Sequence, residues 1–135
     1  MTFLENHLQP LSGNEDKLIV IKFTQYYWKP ITFFISLLII FVSLYPLSNL
    51  EGITGNDKTF HIAVYFLLAI PTGLKKPENC FVYIFIFILM GGTIEIIQPY
   101  VNRFGELLDF YSNVVGVISG FYAGVILKQN FLSNK

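Results

Sequence analysis

Residues 30–50 read PITFFISLLIIFVSLYPLSNL, 21 consecutive positions without a charged side chain. A helix that crosses a bilayer needs about 20 such residues, because the hydrocarbon core is about 30 Å thick and solvates neither charge nor open backbone. Three more charge-free windows follow, 59–74 and 79–94 with 16 residues each and 110–127 with 18. Together the four windows hold 71 of the 135 residues, so all 18 charged side chains fall in the other 64. That is the charge density of ordinary water-facing sequence. The two windows of 16 are short, but lysines at their ends can snorkel and polar neighbours extend them into the interface.

Whole-chain composition agrees. Apolar residues make up 53%, charged residues 13% and aromatics 17%, with 14 Phe and 8 Tyr. A soluble domain this small cannot bury so much apolar surface. The mean hydropathy is +0.56. Nine basic and nine acidic residues cancel, so no excess charge points to a nucleic acid partner. The predicted fold is an all-α membrane protein with four transmembrane helices in a compact bundle and the lipid bilayer as its first partner.

Orientation follows from the lysines and arginine. With the N-terminus cytoplasmic, Lys17, Lys22, Lys29, Lys75, Lys76, Lys128 and Lys135 lie inside, and only Lys58 and Arg103 lie outside. Positive charge favours the inner side, so both termini are expected in the cytoplasm. The acidic residues divide the other way, which leaves an outer face rich in carboxylates. This gives a cytoplasmic or interfacial segment over 1–29, a four-helix domain over 30–128 and a short cytoplasmic tail over 129–135. Residues 1–17 contain no apolar run of signal-peptide length, so the first span is expected to direct insertion. Residues 18–28 are apolar but too short to cross, and their Tyr26, Tyr27 and Trp28 suit the membrane surface. The lone cysteine, Cys80, is expected as a small apolar residue near the inner face.

In the fourth window Gly116, Gly120 and Gly124 recur every four residues, a stripe that lets another backbone come close. It is read as a helix-packing face, with Gly91 and Gly92 as the opposing surface. Polar residues gather instead at the outer ends of the windows. Asp57 and His61 are four apart, and Tyr65 four further; Glu95 and Gln98 are three apart; Asp109, Asn113, Gly116 and Gly120 share one side of the fourth helix. Ionisable groups at such depth normally face a bundle interior and a partner. Arg103 is the expected partner of Glu95. The candidate binding set is therefore Asp57, His61, Glu95, Gln98, Arg103, Asp109 and Asn113.

Two carboxylates beside an imidazole can run general acid–base chemistry, which makes Glu95, His61 and Asp109 the catalytic candidates if there is a reaction. Together with Asp57 these side chains offer oxygen and nitrogen to a divalent cation, although no zinc-type spacing exists; no cofactor is expected. A plainer reading makes Asp57 and Asp109 helix caps, His61 an interfacial histidine, and Glu95 with Arg103 a structural lock. No Gly-rich phosphate loop, nucleophile elbow or His-Glu-x-x-His helix is present.

In Asp57-Lys58-Thr59-Phe60-His61 with Tyr65 following, and in Glu95-Ile96-Ile97-Gln98, then Arg103, Asp109, Asn113 and Gly116, the chain resembles the VanZ-like membrane proteins. The resemblance covers about residues 31–127. Asn102 precedes Arg103 and Phe104-Gly105-Glu106-Leu107-Leu108 follow it, where the family usually has Gly beside the Arg and polar residues after it. What the resemblance implies is a multi-pass protein of the bacterial cell (inner) membrane, in a family named for a member that lowers susceptibility to the glycopeptide teicoplanin. The expected function is an outward-facing polar site that binds or modifies a cell-envelope component, such as a lipid-linked precursor or the glycopeptide. The alternatives are a membrane hydrolase or transferase acting on an envelope lipid or precursor, and a structural or accessory membrane subunit. The resemblance brings no established reaction.

Overall fold

The computed structural model describes residues 13–45, 57–103 and 105–133. Within them the chain is all-helical, with no strand. In order come α1 (Gly13–Tyr26), α2 (Trp28–Leu44), α3 (Asp57–Lys75), α4 (Cys80–Ile97), a 3-10 turn (Gln98–Val101) and α5 (Leu107–Ser133). The four predicted windows each carry one long helix, and α5 continues beyond 128 into the expected tail. The part of the first window over 46–50 lies outside the described residues.

Two helical segments are long and apolar enough to cross a membrane, Cys80–Val101 and Leu107–Phe131. The 17 residues of α2 rise about 25 Å, short of the hydrocarbon thickness on their own. Joined to α1 they would make a third apolar segment, but the two meet at a 78° bend around Tyr27. The 19 residues of α3 include Asp57, Lys58, His61, Pro71 and Lys75, and this polar content is what keeps it below the apolarity of a self-sufficient span.

Side-chain pairs at the helix ends fix the directions. Trp28 and Tyr83 meet edge to face, 4.9 Å between centroids, which brings the starts of α2 and α4 together. Gln25 Nε2 donates to the Leu74 carbonyl at 2.9 Å and Lys128 Nζ to the Lys75 carbonyl at 3.3 Å, which brings the ends of α3 and α5 to that same level. The bundle therefore runs up, down, up, down from α2 to α5, with α1 turned across its base. At that base α3 stops where Lys76 adopts a left-handed φ of 50° and Pro77 prevents continuation.

The closest packing joins α3 to α5, which run parallel. A Cβ on Gly116 would lie 2.5 Å from the Ile62 carbonyl oxygen, and one on Gly124 2.5 Å from that of Ile70; one on Gly120 would overlap the Phe66 carbonyl. Three glycines four apart thus face three carbonyls four apart, an arrangement suited to Cα–H···O contacts. Gly73 of α3 returns the fit against the Phe121 carbonyl. The partner of the glycine stripe is α3, and the expected pairing with Gly91 and Gly92 is corrected: these face Asn113 and the Phe110 ring nearer the start of α5. The reason is direction, since α4 runs antiparallel to α5 and its glycines meet α5 one turn before the stripe begins.

Ile39, Tyr65, Leu68, Ala69, Cys80, Phe87, Ile94, Val117 and Phe121 form the core, with Cys80 a buried free thiol. Phe33, Phe34, Leu38 and Phe41 of α2, Phe81 and Phe85 of α4, and Tyr122 of α5 point outward and are exposed in the single chain. A soluble surface does not carry an apolar patch of this extent, whereas lipid would cover it.

Candidate functional site

The end of the bundle opposite α1 brings together the start of α3, the last turn of α4 and the first turns of α5. Among the residues picked from the sequence, His61, Glu95, Asp109 and Asn113 meet there. Glu95 is 8% exposed, Asp109 2% and Asn113 1%. Asn113 is the hub. Its Nδ2 donates to Glu95 Oε1 at 3.3 Å, and its Oδ1 lies 2.9 Å from His61 Nδ1, so in this orientation the imidazole carries hydrogen on Nδ1 and donates. On its other side His61 Nε2 faces Asp109 Oδ2 at 3.9 Å, while Nδ1 is 3.8 Å from Glu95 Oε1. One imidazole thus stands between two buried carboxylates, braced by one amide.

Glu95 also reaches the start of α5. The Glu106 backbone N–H donates to Glu95 Oε2 at 3.3 Å, so a carboxylate from α4 holds the residue that leads into α5, at the positive end of that helix. A Cβ on Gly105 would overlap the Glu95 carbonyl, which explains how the connecting loop comes this close. Asp109 sits in the first turn of α5 with its side chain turned inward to His61, as its helical register predicts, and not outward as a cap.

The remaining picks lie elsewhere. Arg103 does not pair with Glu95, which corrects the expected salt bridge. Its Nη1 donates to the Val42 carbonyl at 3.1 Å, and Gln98 Nε2 donates to the Ser43 carbonyl at 3.5 Å. These carbonyls belong to the last turn of α2, where no intrahelical N–H remains to meet them. The 3-10 turn and the left-handed Asn102, with φ 58°, aim the two side chains that way. Arg103 and Gln98 therefore clasp α2 to the end of α4, apart from the His61 cluster. The side chain of Asp57 lies outside the described residues. Lys58 pairs with Glu106 at 3.3 Å, both half exposed, a weak link over the loop.

Tyr65 was legible as a neighbour of His61 but was not placed in the site. It is 2% exposed, and its hydroxyl has no hydrogen-bond partner among the described residues. A Cβ on Gly91 would lie 3.2 Å from both this hydroxyl and Asn113 Nδ2, so the phenol ends beside the amide hub. Among the described residues no three of His, Cys, Asp and Glu are placed to hold a metal ion. His61 spends Nδ1 on Asn113, and the carboxylates flank the ring at 3.8 and 3.9 Å instead of converging on one point.

An open cleft of about 360 Å³ leads to Glu95 between α4 and α5, and a second of about 440 Å³ adjoins it at Gly105 and is lined by Pro99, Asn102 and Arg103. Comparison of the chain with protein-family models, curated proteins and solved structures gives no match.

Proposed function

We propose that the chain crosses a bacterial cell membrane four times, with α1 along the cytoplasmic surface, and that the His61–Glu95–Asp109–Asn113 cluster at the outer end binds a cell-envelope component. In keeping with the resemblance to VanZ-like proteins, this binding lowers susceptibility to glycopeptides such as teicoplanin. The observation that carries the reading is the convergence of these four side chains from three helices at the carboxylate-rich end. Burying them costs stability that a purely structural bundle would gain by using apolar residues. Four crossings are supported by the parallel register of α3 and α5: if α5 crosses, α3 lies at the same depth along it. The lysines at the base and carboxylates at the far end support the orientation.

The test is Glu95→Gln and Asp109→Asn in a host that shows a teicoplanin phenotype when the chain is expressed. Both variants, at wild-type membrane levels, are expected to lose it. Full phenotype in both overturns the reading.

A second reading has one observation of its own. An imidazole between two carboxylates is an arrangement for moving a proton, so the site would act as general acid and base in a hydrolase or transferase on an envelope lipid. The third reading is a structural or accessory subunit, in which the glycine stripe serves as the seam between α5 and α3.

A further inference from the structure

The end of the bundle away from the His61 cluster holds a second concentration of charge. There α3 stops at Lys75, followed by the left-handed Lys76. On α5, Lys128 takes the next position of the four-residue step set by Gly116, Gly120 and Gly124, which keeps it on the side of α5 that faces α3. Its Nζ donates to the Lys75 carbonyl at 3.3 Å, and Gln25 of α1 donates to the neighbouring Leu74 carbonyl at 2.9 Å. Three ammonium-bearing side chains are thus gathered around the last turn of one helix. The C-terminal end of α3 presents about half a unit of negative charge, which balances one of them only in part. Among the described residues none of the three has a carboxylate within ion-pair distance, whereas at the other end Lys58 is paired with Glu106. Six lysines against Glu15, Asp16 and Glu78 leave the described part of this end with three unbalanced positive charges.

We infer that this end of the bundle is a docking surface for anionic phospholipid, whose phosphate is held by Lys75, Lys76 and Lys128. The inference rests on the four crossings and the orientation proposed above, and it is independent of what the His61 cluster binds. Two observations choose a lipid over a dissolved anion. Lys75 is the last residue of α3 and the Lys128 ammonium lies level with its carbonyl, so the charge stands where a crossing helix ends, which is the depth of lipid phosphate. Tyr26 and Phe81, each 78% exposed, stand at the same end and offer apolar surface beside that charge. A dissolved anion uses the ammonium groups and leaves the rings in water; a phospholipid uses both. Charge also chooses among lipids. Phosphatidylcholine carries a cation of its own, which three neighbouring lysines repel, and phosphatidylglycerol does not.

Trp28 is the only tryptophan and stands at this end, three residues from Gln25, so its emission reports the lipids nearby. The purified full chain is placed in phosphatidylcholine vesicles, brominated phosphatidylglycerol or brominated phosphatidylcholine is titrated in, and the quenching of Trp28 gives the preference for one over the other. At low salt a preference for phosphatidylglycerol of at least about fivefold is expected, the contribution of one lysine near an anionic surface, and it should fall as sodium chloride is raised. A chain with Lys75→Gln, Lys76→Gln and Lys128→Gln together is expected to come within about twofold of no preference, while Lys58→Gln at the other end leaves it unchanged. Taking the ratio of the two lipids within each variant cancels any change in the emission of Trp28 itself. A wild-type ratio near one overturns the inference and leaves the four crossings standing, since bromines of either lipid still reach Trp28. A loss in Lys58→Gln equal to that of the triple variant overturns it too. Sodium phosphate that removes the preference at an ionic strength where chloride does not assigns the lysines to dissolved phosphate and overturns the lipid. Absence of quenching by both lipids places Trp28 away from the bilayer and overturns the arrangement on which the inference rests.

Discussion

Glu95 lies in the last turn of α4 and Arg103 just beyond the 3-10 turn that follows it, and their charges invite pairing, but the guanidinium goes to the carbonyl end of α2 and the carboxylate to Asn113 and the start of α5. A double-mutant cycle separates the two descriptions. Arg103→Ala and Glu95→Gln are expected to destabilise independently, with a coupling energy under about 0.5 kcal/mol in detergent unfolding followed by the fluorescence of Trp28. A coupling of about 2 kcal/mol would restore the salt bridge. Asn113→Ala, by contrast, should couple strongly to Glu95→Gln, since it removes the one donor that joins Glu95 to His61. Spacing made His61, Glu95, Asp109 and Asn113 legible as inward-facing residues, because helical periodicity alone sets which side chains share a face. Their partners were not legible. Which acceptor Arg103 meets depends on the left-handed turn at Asn102 and on the open carbonyls of a helix sixty residues away, and neither is written locally.

Among the helices, α3 and α5 form the tightest unit, and the fit is made by absence of side chains. Gly120→Ala places a methyl group against the Phe66 carbonyl, and backbone cannot swing aside as a side chain can. It is expected to cost about 1–3 kcal/mol and to lower the apparent Tm in detergent. Gly13→Ala has open space around it and should change stability by under about 1 kcal/mol, in the stabilising direction if at all. Equal Tm values for the two variants would remove the glycine ladder as a source of stability. The four-residue glycine period announced a packing face in the sequence. Its partner could not be named, because Ile62, Phe66 and Ile70 contribute carbonyl oxygens, and every residue has one of those. Gly73 belongs to no such period, so nothing in the sequence marks that it meets the Phe121 carbonyl.

Across the whole molecule charge is sorted by end. Among the described residues, Lys17, Lys22, Lys29, Lys75, Lys76 and Lys128 outnumber Glu15, Asp16 and Glu78 at the base with α1, while Glu95, Glu106 and Asp109 outnumber Lys58 and Arg103 at the other end. In a background with Cys80→Ser, cysteines introduced at Tyr100 and at Lys76 report which end is outside. A membrane-impermeant maleimide added to intact cells is expected to label the Tyr100→Cys variant, and to label the Lys76→Cys variant only after permeabilisation. The reverse pattern would place the cluster in the cytoplasm and end its assignment to the envelope. The 78° bend between α1 and α2 was legible only as an apolar run too short to cross, ending in aromatics; the bend itself is made at Tyr27, where one residue leaves the helical path.

The parallel pairing of α3 with α5 also sets an order in time. During synthesis α3 leaves the ribosome with its polar face and its row of carbonyls uncovered, and the surface that fits them arrives only with α5, after α4 has been made. On the proposed four-crossing arrangement α3 is until then the crossing least able to stay in a bilayer by itself, since it is less apolar than α2 and α4 and contains Pro71. The cluster of His61, Glu95, Asp109 and Asn113 cannot exist before that moment either. On the proposed four-crossing arrangement, completion of the site and commitment of α3 to its place both wait for α5.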